Sequence, residues 1–414
     1  GFSYADCYSR TGGASNWRSS STRYPGEHAW WCAFNSRETY HAPHNTDGEN
    51  GSCTVCGHTH SLVLTEAKAP TCIAPGNIAY YTCTGCKKYF SDAQGLEEID
   101  AASVVIPASG EHSFDPETHT CVCGLRGGSC GENVNWVLEK DGTLVISGTG
   151  AMANYYYDDN LPAPWKNFRE EVTSAVVEPG VTTVGAGAFY DCKNLSSISL
   201  PVGITSIGTQ SFVNCAKLTE IALPKSLTEI RINAFDGCRG LTEITIPEGV
   251  TKIGMLAFSY CTALKKIILP ESLTTIEDGA FSNCTALPSA TIPASAKNLG
   301  NYIFFQCKNL KSVVLPVGLT KIGSQMFEGC SNLRDVVIPD GVKIIGNGAF
   351  RSAYLESITI PESVKTIERE AFYKCTGLKD VYYGGSDVTW REIEIAMSNE
   401  ELRAAYIHYG QVHT

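Results

Sequence analysis

Residues 218–238 read Leu218-Thr-Glu-Ile-Ala-Leu-Pro224-Lys-Ser-Leu-Thr-Glu-Ile230-Arg-Ile-Asn-Ala-Phe235-Asp-Gly-Cys238. The opening Leu-x-x-Ile-x-Leu alternates apolar and polar residues, which predicts a short strand. Pro224 ends it, because proline has no N–H to give to a ladder. Leu227 and Ile230 form a second apolar pair and a tight turn follows. The Ala-Phe segment is then expected to make one turn of helix that drops Phe235 into a core. The stretch repeats. Phenylalanine recurs at Phe189, Phe212, Phe235, Phe258, Phe281, Phe304, Phe327, Phe350 and Phe372, in steps of 23 residues until the last, which is 22. Cysteine follows three residues later at Cys192, Cys215, Cys238, Cys261, Cys284, Cys307, Cys330 and Cys375. Self-similarity at this period is the mark of a solenoid and points to an extended surface instead of a buried active site.

No single unit can bury its own apolar face, so stacking must build columns of Leu, Ile, Phe and Cys. Nine coils at a strand spacing of ~4.8 Å make a stack on the order of 40 Å long. One cysteine per coil on one face suits a small buried apolar group. A disulfide wants Cβ atoms ~3.8 Å apart, which parallel in-register side chains seldom provide. The eight repeat cysteines are therefore expected as buried thiols, and Ala353 stands where the ladder would put another. Four residues before the phenylalanine, glycine gives way to Arg231, Glu277 and Glu368. That position does not demand a left-handed backbone. Both ends need covers. Asn135 to Gly148 reads as a hairpin turning at Asp141-Gly142. Beyond the array come a helix around Trp390 and a capping-box signal, Ser398-Asn-Glu-Glu401, ahead of Tyr406 to Tyr409.

The unit Leu-x-x-Ile-x-Leu-Pro-x-x-Leu-x-x-Ile-Gly-x-x-Ala-Phe-x-x-Cys resembles the BspA-like leucine-rich repeats of bacterial surface proteins. Leu144 through Trp165 resembles that family's N-terminal flank, and Tyr383 through Tyr409 its C-terminal flank, so the resemblance spans roughly residues 130–410. It implies a mainly β fold with short helical turns: a right-handed leucine-rich-repeat solenoid of about nine repeats with capping segments, preceded here by small Cys/His-rich β modules. It also implies a secreted or surface-displayed protein that binds proteins or matrix and has no shared catalytic residues.

The front end differs in composition. Ten of the 18 cysteines lie before residue 131, irregularly spaced and near histidines. His44-x8-Cys53-x2-Cys56 and His112-x8-Cys121-x-Cys123 are related patterns, preceded by Cys32 and by Cys83-x2-Cys86. Such spacing supplies the three or four Cys/His ligands of a tetrahedral zinc site. The second module offers Cys83, Cys86, His112 and Cys121 or Cys123. The first offers Cys32, His44, Cys53 and Cys56, with His41, His58 and His60 as substitutes. Structural zinc is thus one expectation, with disulfides or reduced thiols as the alternatives. The expected divisions are a lead-in at 1–27, Cys/His modules at 28–60 and 61–124, an N-terminal flank at 125–175, repeats at 176–381 and a C-terminal cap at 382–414.

A net charge of −11 argues against a phosphate-binding surface, so nucleic acid is not an expected partner. No apolar run reaches the ~18 residues of a membrane span. The start at Gly1 shows no signal-peptide pattern, so a place outside the cell presumes a targeting segment already removed. On each repeat strand the residues just before and just after the central Ile or Val should face outward. The column after it runs Ser199, Ala222, Thr245, Ile268, Thr291, Val314, Val337, Thr359, Tyr382, and neither column holds His or Cys. Its later members turn apolar. Lys266, Ile268, Val314, Asp335, Val337 and Tyr382 are the candidate ligand-binding residues, for a protein or extracellular-matrix ligand that is host-derived in a host-associated bacterium. A metal-dependent hydrolase with its chemistry in the front modules is the rival reading. A carbohydrate-binding protein is the third, resting on Tyr155, Tyr156, Tyr157 and Trp165.

Overall fold

A computed structural model describes residues 62–72, 74–85, 87–93, 97–156 and 161–410. The first Cys/His module, with Cys32, His44, Cys53 and Cys56, lies outside the described residues, as do Cys86 and Tyr157. The chain forms two compact units. In the smaller, an antiparallel sheet runs in the order Leu62–Thr65, Tyr80–Cys83, Tyr89–Phe90, Glu98–Ile99. A second pair joins Gly76–Asn77 to Val105–Ile106. Among the described residues, Cys72, Cys83, Phe90 and Val104 are its buried apolar side chains.

The larger unit is built from three ladders running along the repeat. The first is the predicted strand. Thr143–Gly148 pairs in parallel with Ser174–Val177, which pairs with Ser197–Ser199. The same register joins Glu243–Thr245 to Lys266–Ile268 and Ser289–Thr291 to Ser312–Val314. Asp335–Val337 pairs with Ser357–Ile360, then Asp380–Tyr383, then Tyr406–Tyr409. In-register stacking sets like positions side by side, so the central Ile244, Val336, Ile358 and Val381 all point into the core. The second ladder holds the second apolar pair, from Val181–Val184 through Ser206–Ile207, Glu229–Ile230, Lys252–Ile253 and Thr275–Ile276 to Asn298–Leu299. It resumes at Lys321–Ile322. Threonines reinforce it. The hydroxyls of Thr205, Thr228 and Thr274 each donate to the backbone carbonyl of a threonine one coil earlier, at 3.3, 3.1 and 3.0 Å.

The third ladder replaces the helical turn expected at the Ala-Phe segment. Short helices occur in the caps, at Lys166–Phe168, Asp387–Arg391 and Glu400–Ala404, but not at the phenylalanines. Around each phenylalanine the residues two before and two after hold left-handed φ, as Gln210 (57°) and Asn214 (59°) do beside Phe212. This alternation sends every second N–H to the next coil: Gln210 N to Ile232 O (2.9 Å), Phe212 N to Ala234 O (2.8 Å) and Asn214 N to Asp236 O (2.8 Å). A helix would have spent those donors within its own turn. Holding non-glycine residues such as Leu256 and Tyr302 at positive φ costs roughly 1–2 kcal/mol each. The inter-coil hydrogen bonds offset that cost.

The phenylalanine rings stack along this ladder, from 5.1 Å and 2° between Phe189 and Phe212 to 5.9 Å and 17° between Phe281 and Phe304. Each ring is fully buried, which contributes roughly 1.5–3 kcal/mol. The cysteines are thiols, as expected, and they have partners. Cys215 Sγ donates to Phe189 O at 3.2 Å, and the same bond recurs at Cys238, Cys261, Cys284, Cys307, Cys330 and Cys375. The position four before the phenylalanine adopts no left-handed φ where it is glycine, in line with the sequence. Glycine is favoured there because the preceding coil passes close by: a Cβ on Gly254 would lie 2.7 Å from the Arg231 carbonyl carbon. Where Glu277 replaces it, the carboxylate accepts from Met255 N at 3.0 Å.

Both ends of the third ladder are closed. Tyr155 N and Trp165 Nε1 donate to Ala186 O and Ala188 O of the first coil, each at 2.7 Å. Tyr155 and Trp165 are buried and cap the stack, while Tyr156 of the same cluster is exposed. At the far end Glu370 N donates to Met397 O, Phe372 N to Asn399 Oδ1 and Lys374 N to Glu401 Oε1. A helix starts beside the predicted signal, at Glu400 with Asn399 at its N-cap, but the capping box expected of Ser398 and Glu401 does not form. Its polar side chains serve the last coil; Asn399 makes no capping bond to its own helix.

Candidate functional site

Two regions collect residues able to recognise or bind something. The first is the outward face of the strand ladder. Flanking residues alternate outward as predicted from Ser197 and Ser199 through Asp335 and Val337, and Lys266 and Asp335 are both exposed. Ile268, Val314 and Val337 expose 44%, 57% and 51% of their surface, a large share for β-branched apolar side chains. The last two coils depart from the pattern. Thr359 is buried, in register between Val337 and Tyr382. Tyr382 is half-buried, because its ring stacks on His408 at 4.6 Å.

His408 also corrects the expectation that this face carries no histidine. The cap strand Tyr406–Tyr409 extends the ladder by one and sets His408 beside Tyr382 in register. Its Nε2 lies 2.8 Å from Asp380 Oδ1, and Tyr406 packs edge-on against its ring at 4.7 Å. The repeat columns gave no warning, since the residue belongs to the flank and lies outside the period.

The second region is the set of metal-ligating side chains predicted in the second module. In the smaller unit His112 is exposed and Cys83 sits buried on the strand Tyr80–Cys83. Cys72, which belongs to no Cys-x-x-Cys pair and gave no signal by spacing, is buried in the same unit. Local backbone bonds place it. Ser109 N donates to Thr71 O (3.0 Å) and Gly110 N to Cys72 O (3.2 Å), which lays Cys72 alongside the chain that leads to His112. Cys121 N donates to Leu125 O and Gly124 N to Cys121 O, both at 2.8 Å, so Cys121 and Cys123 share one tight turn. Gly124 closes that turn at φ 85°, a conformation glycine adopts without strain.

The repeat thiols are chemically quiet. Burial pushes Cys192 and Cys307 up to about 12 from an ordinary 9.0. A thiol that does not ionise at neutral pH is neither nucleophile nor metal ligand.

The chain matches the model of the BspA type leucine rich repeat region in six copies, over residues 167–286 and 251–379. A leucine-rich repeat protein from Bacteroides ovatus is 30% identical, with 61% of this chain and 70% of that one covered and a TM-score of 0.51. A leucine rich cell surface protein from Faecalibacterium prausnitzii is 25% identical, with 65% of this chain and 97% of that one covered and a TM-score of 0.31. The pneumococcal vaccine antigen PcpA is 18% identical, with 69% and 88% covered and a TM-score of 0.38. Among curated proteins none matches.

Proposed function

From the premise that the chain belongs to the BspA-type leucine-rich repeat family, we propose that it is a non-catalytic binding protein displayed on or released from a bacterial cell. It recognises a protein or matrix ligand through the outward face of its strand ladder. The observation that carries this reading is the row of exposed Ile268, Val314 and Val337, set on strands whose inward neighbour Val336 is buried in the core and whose inward neighbours Ile267 and Val313 pack against it. Apolar side chains held open on a rigid ladder give up little conformational entropy when a partner covers them. Lys266 and Asp335 flank that row and supply opposite charges for orientation. No described helix is long and apolar enough to cross a membrane.

The test is a comparison of the full chain with a Val314→Glu, Val337→Glu double variant. Both side chains already face solvent, so the fold tolerates the change. Binding to immobilised matrix proteins and to proteins of host mucosal extract is expected to be lost in the variant, with an unchanged circular dichroism spectrum. Equal binding by the two proteins would remove this face as the recognition surface.

A further inference from the structure

Residues 287–300 read Leu287-Pro-Ser-Ala290-Thr-Ile-Pro-Ala-Ser-Ala296-Lys-Asn-Leu299-Gly300 and break the repeat at two core positions. Ala290 stands where the neighbouring coils have Ile267 and Val313, and Ala296 where they have Leu273 and Leu319. Two shortened side chains in one coil withdraw core volume, and the surrounding structure adjusts. Lys297 N donates to Ser295 O at 3.0 Å, whereas Thr274 N reaches Thr251 O of the preceding coil at 2.9 Å. The phenylalanine rings stand furthest apart on the two sides of Phe304, at 5.9 and 5.8 Å. Among the described residues the second ladder has no rung between Asn298–Leu299 and Lys321–Ile322, while the first and third ladders stay closed across the same two coils. Gly300 N donates to Ile276 O at 2.9 Å and Gly346 N to Ile322 O at 3.0 Å, but Gly323 N does not repeat that bond to Leu299 O. A main-chain group without its ladder partner favours a ligand that brings one.

A cleft of about 600 Å³ lies over this interruption. Ile232 and Met255, each 41% exposed, form one end of it, and Lys297 and Lys321 form the other. The carboxylates in its wall are already engaged: Glu277 pairs with Lys252 at 2.7 Å, and Asp278 Oδ1 accepts from Asn301 N at 2.8 Å. Lys297 has no ion-pair partner among the described residues, and Lys321 comes no closer than 4.0 Å to Glu368. We infer that the cleft binds an extended acidic peptide of a partner protein, with an apolar side chain on Ile232 and Met255 and a carboxylate at Lys297. Ile232 and Lys297 lie three coils apart, ~14 Å at ~4.8 Å per coil, a span that about four extended residues cover. No aromatic residue lines the cleft, so a sugar ring has no face to stack on. The site belongs to the second ladder and does not depend on Val314 and Val337 of the first being a recognition surface.

The probe is a set of end-capped pentapeptides with Leu or Val at one end, Glu at the other and Ser, Thr or Gly between, made in both directions. A matching set carries Gln in place of Glu. The full chain is expected to retain the Glu set over the Gln set at low ionic strength, and to lose that preference at roughly 0.5 M salt. Lys297→Gln and Met255→Ser alter exposed side chains, and each should weaken binding of the Glu set by about fivefold. The Val314→Glu, Val337→Glu double variant should bind the peptides as wild type does. In wild type, a photoreactive leucine at the apolar end should crosslink to Ile232 or Met255, a readout that needs no variant to fold. Equal retention of the two sets, crosslinks elsewhere, or unchanged binding in either single variant would overturn the site. Loss of peptide binding in the double variant would overturn it equally, as would retention of no peptide, whether or not glycans bind in their place.

Discussion

Asn399 Oδ1 accepts the backbone N–H of Phe372 at 2.9 Å, taking the place of the carbonyl that a further coil would have supplied. Its amide nitrogen donates to Glu368 O at 3.1 Å and Ala396 O at 3.0 Å, so one buried side chain completes both sides of the terminal turn. Asn399→Ala leaves these buried backbone groups unmet. A cost of about 1–3 kcal/mol is expected in urea unfolding. Faster amide exchange should appear at Phe372 before it appears in inner coils, and a variant within experimental error of wild type would show that the terminal donors are met some other way.

The cysteine column should make the repeat sensitive to alkali. In the unfolded chain these thiols ionise near 9.0, whereas burial holds Cys192 and Cys307 protonated to about 12 and raises the other repeat thiols as well. Below 9.0 both states keep the proton, and the thiols contribute their full stabilisation. Between 9.0 and about 12 the unfolded chain has lost protons that the folded chain retains, so stability falls as pH rises. Each thiol contributes a slope of about 1.4 kcal/mol per pH unit in that window. Urea midpoints measured from pH 8 to about 10 should therefore drop steeply, and more gently in a Cys238→Ala, Cys261→Ala variant. Equal slopes in the two proteins would mean that other groups govern the alkaline loss.

The thiol–carbonyl bond explains why cysteine and not alanine recurs in the column. Ala353 is the exception, and it stands where a cysteine would reach Phe327 O, as Cys330 reaches Phe304 O at 3.2 Å. Ala353→Cys should add that donor and gain a few tenths of a kcal/mol up to about 1, while Cys261→Ala should lose about 1 kcal/mol. Thermal unfolding of both variants checks the pair, and a destabilised Ala353→Cys would show that the shorter 22-residue coil leaves no room for sulfur.

How much of this was legible in the sequence depends on whether a residue's role was local to the repeat. Phe235, Cys238, Leu227 and Ile230 sit at fixed positions, so their period revealed both the stack and its core. The turn around each phenylalanine is not legible in the sequence, because Leu256, Tyr260 and Tyr302 carry no mark of a left-handed backbone. Their conformation is imposed by hydrogen bonds from the neighbouring coil, which is a tertiary effect. Thr359 and Tyr382 faced outward by pattern, but Thr359 is buried in register between Val337 and Tyr382, and His408 of the cap strand covers the Tyr382 ring. Cys72 was invisible for a similar reason: backbone pairing with Ser109 and Gly110 brings it to His112, across a long separation in the chain.

Tyr260 offers a direct test of the left-handed turn. It is half exposed, at φ 53°, two residues after Phe258, where the corresponding residues in other coils include Asn214 and Asn283. Asparagine tolerates this conformation better than an aromatic residue does, and it keeps the N–H that Tyr260 donates to Ser282 O at 2.9 Å. Tyr260→Asn should therefore stabilise the repeat by about 0.5–1 kcal/mol, although it removes a large side chain. Asn214→Val, which forces a β-branched residue into the same backbone, should cost about 1–2 kcal/mol. If the segment were one turn of helix the difference would vanish: neither substitution would gain from positive φ, and valine would be tolerated about as well as asparagine. Urea unfolding of the two variants separates the alternatives by whether that difference is present.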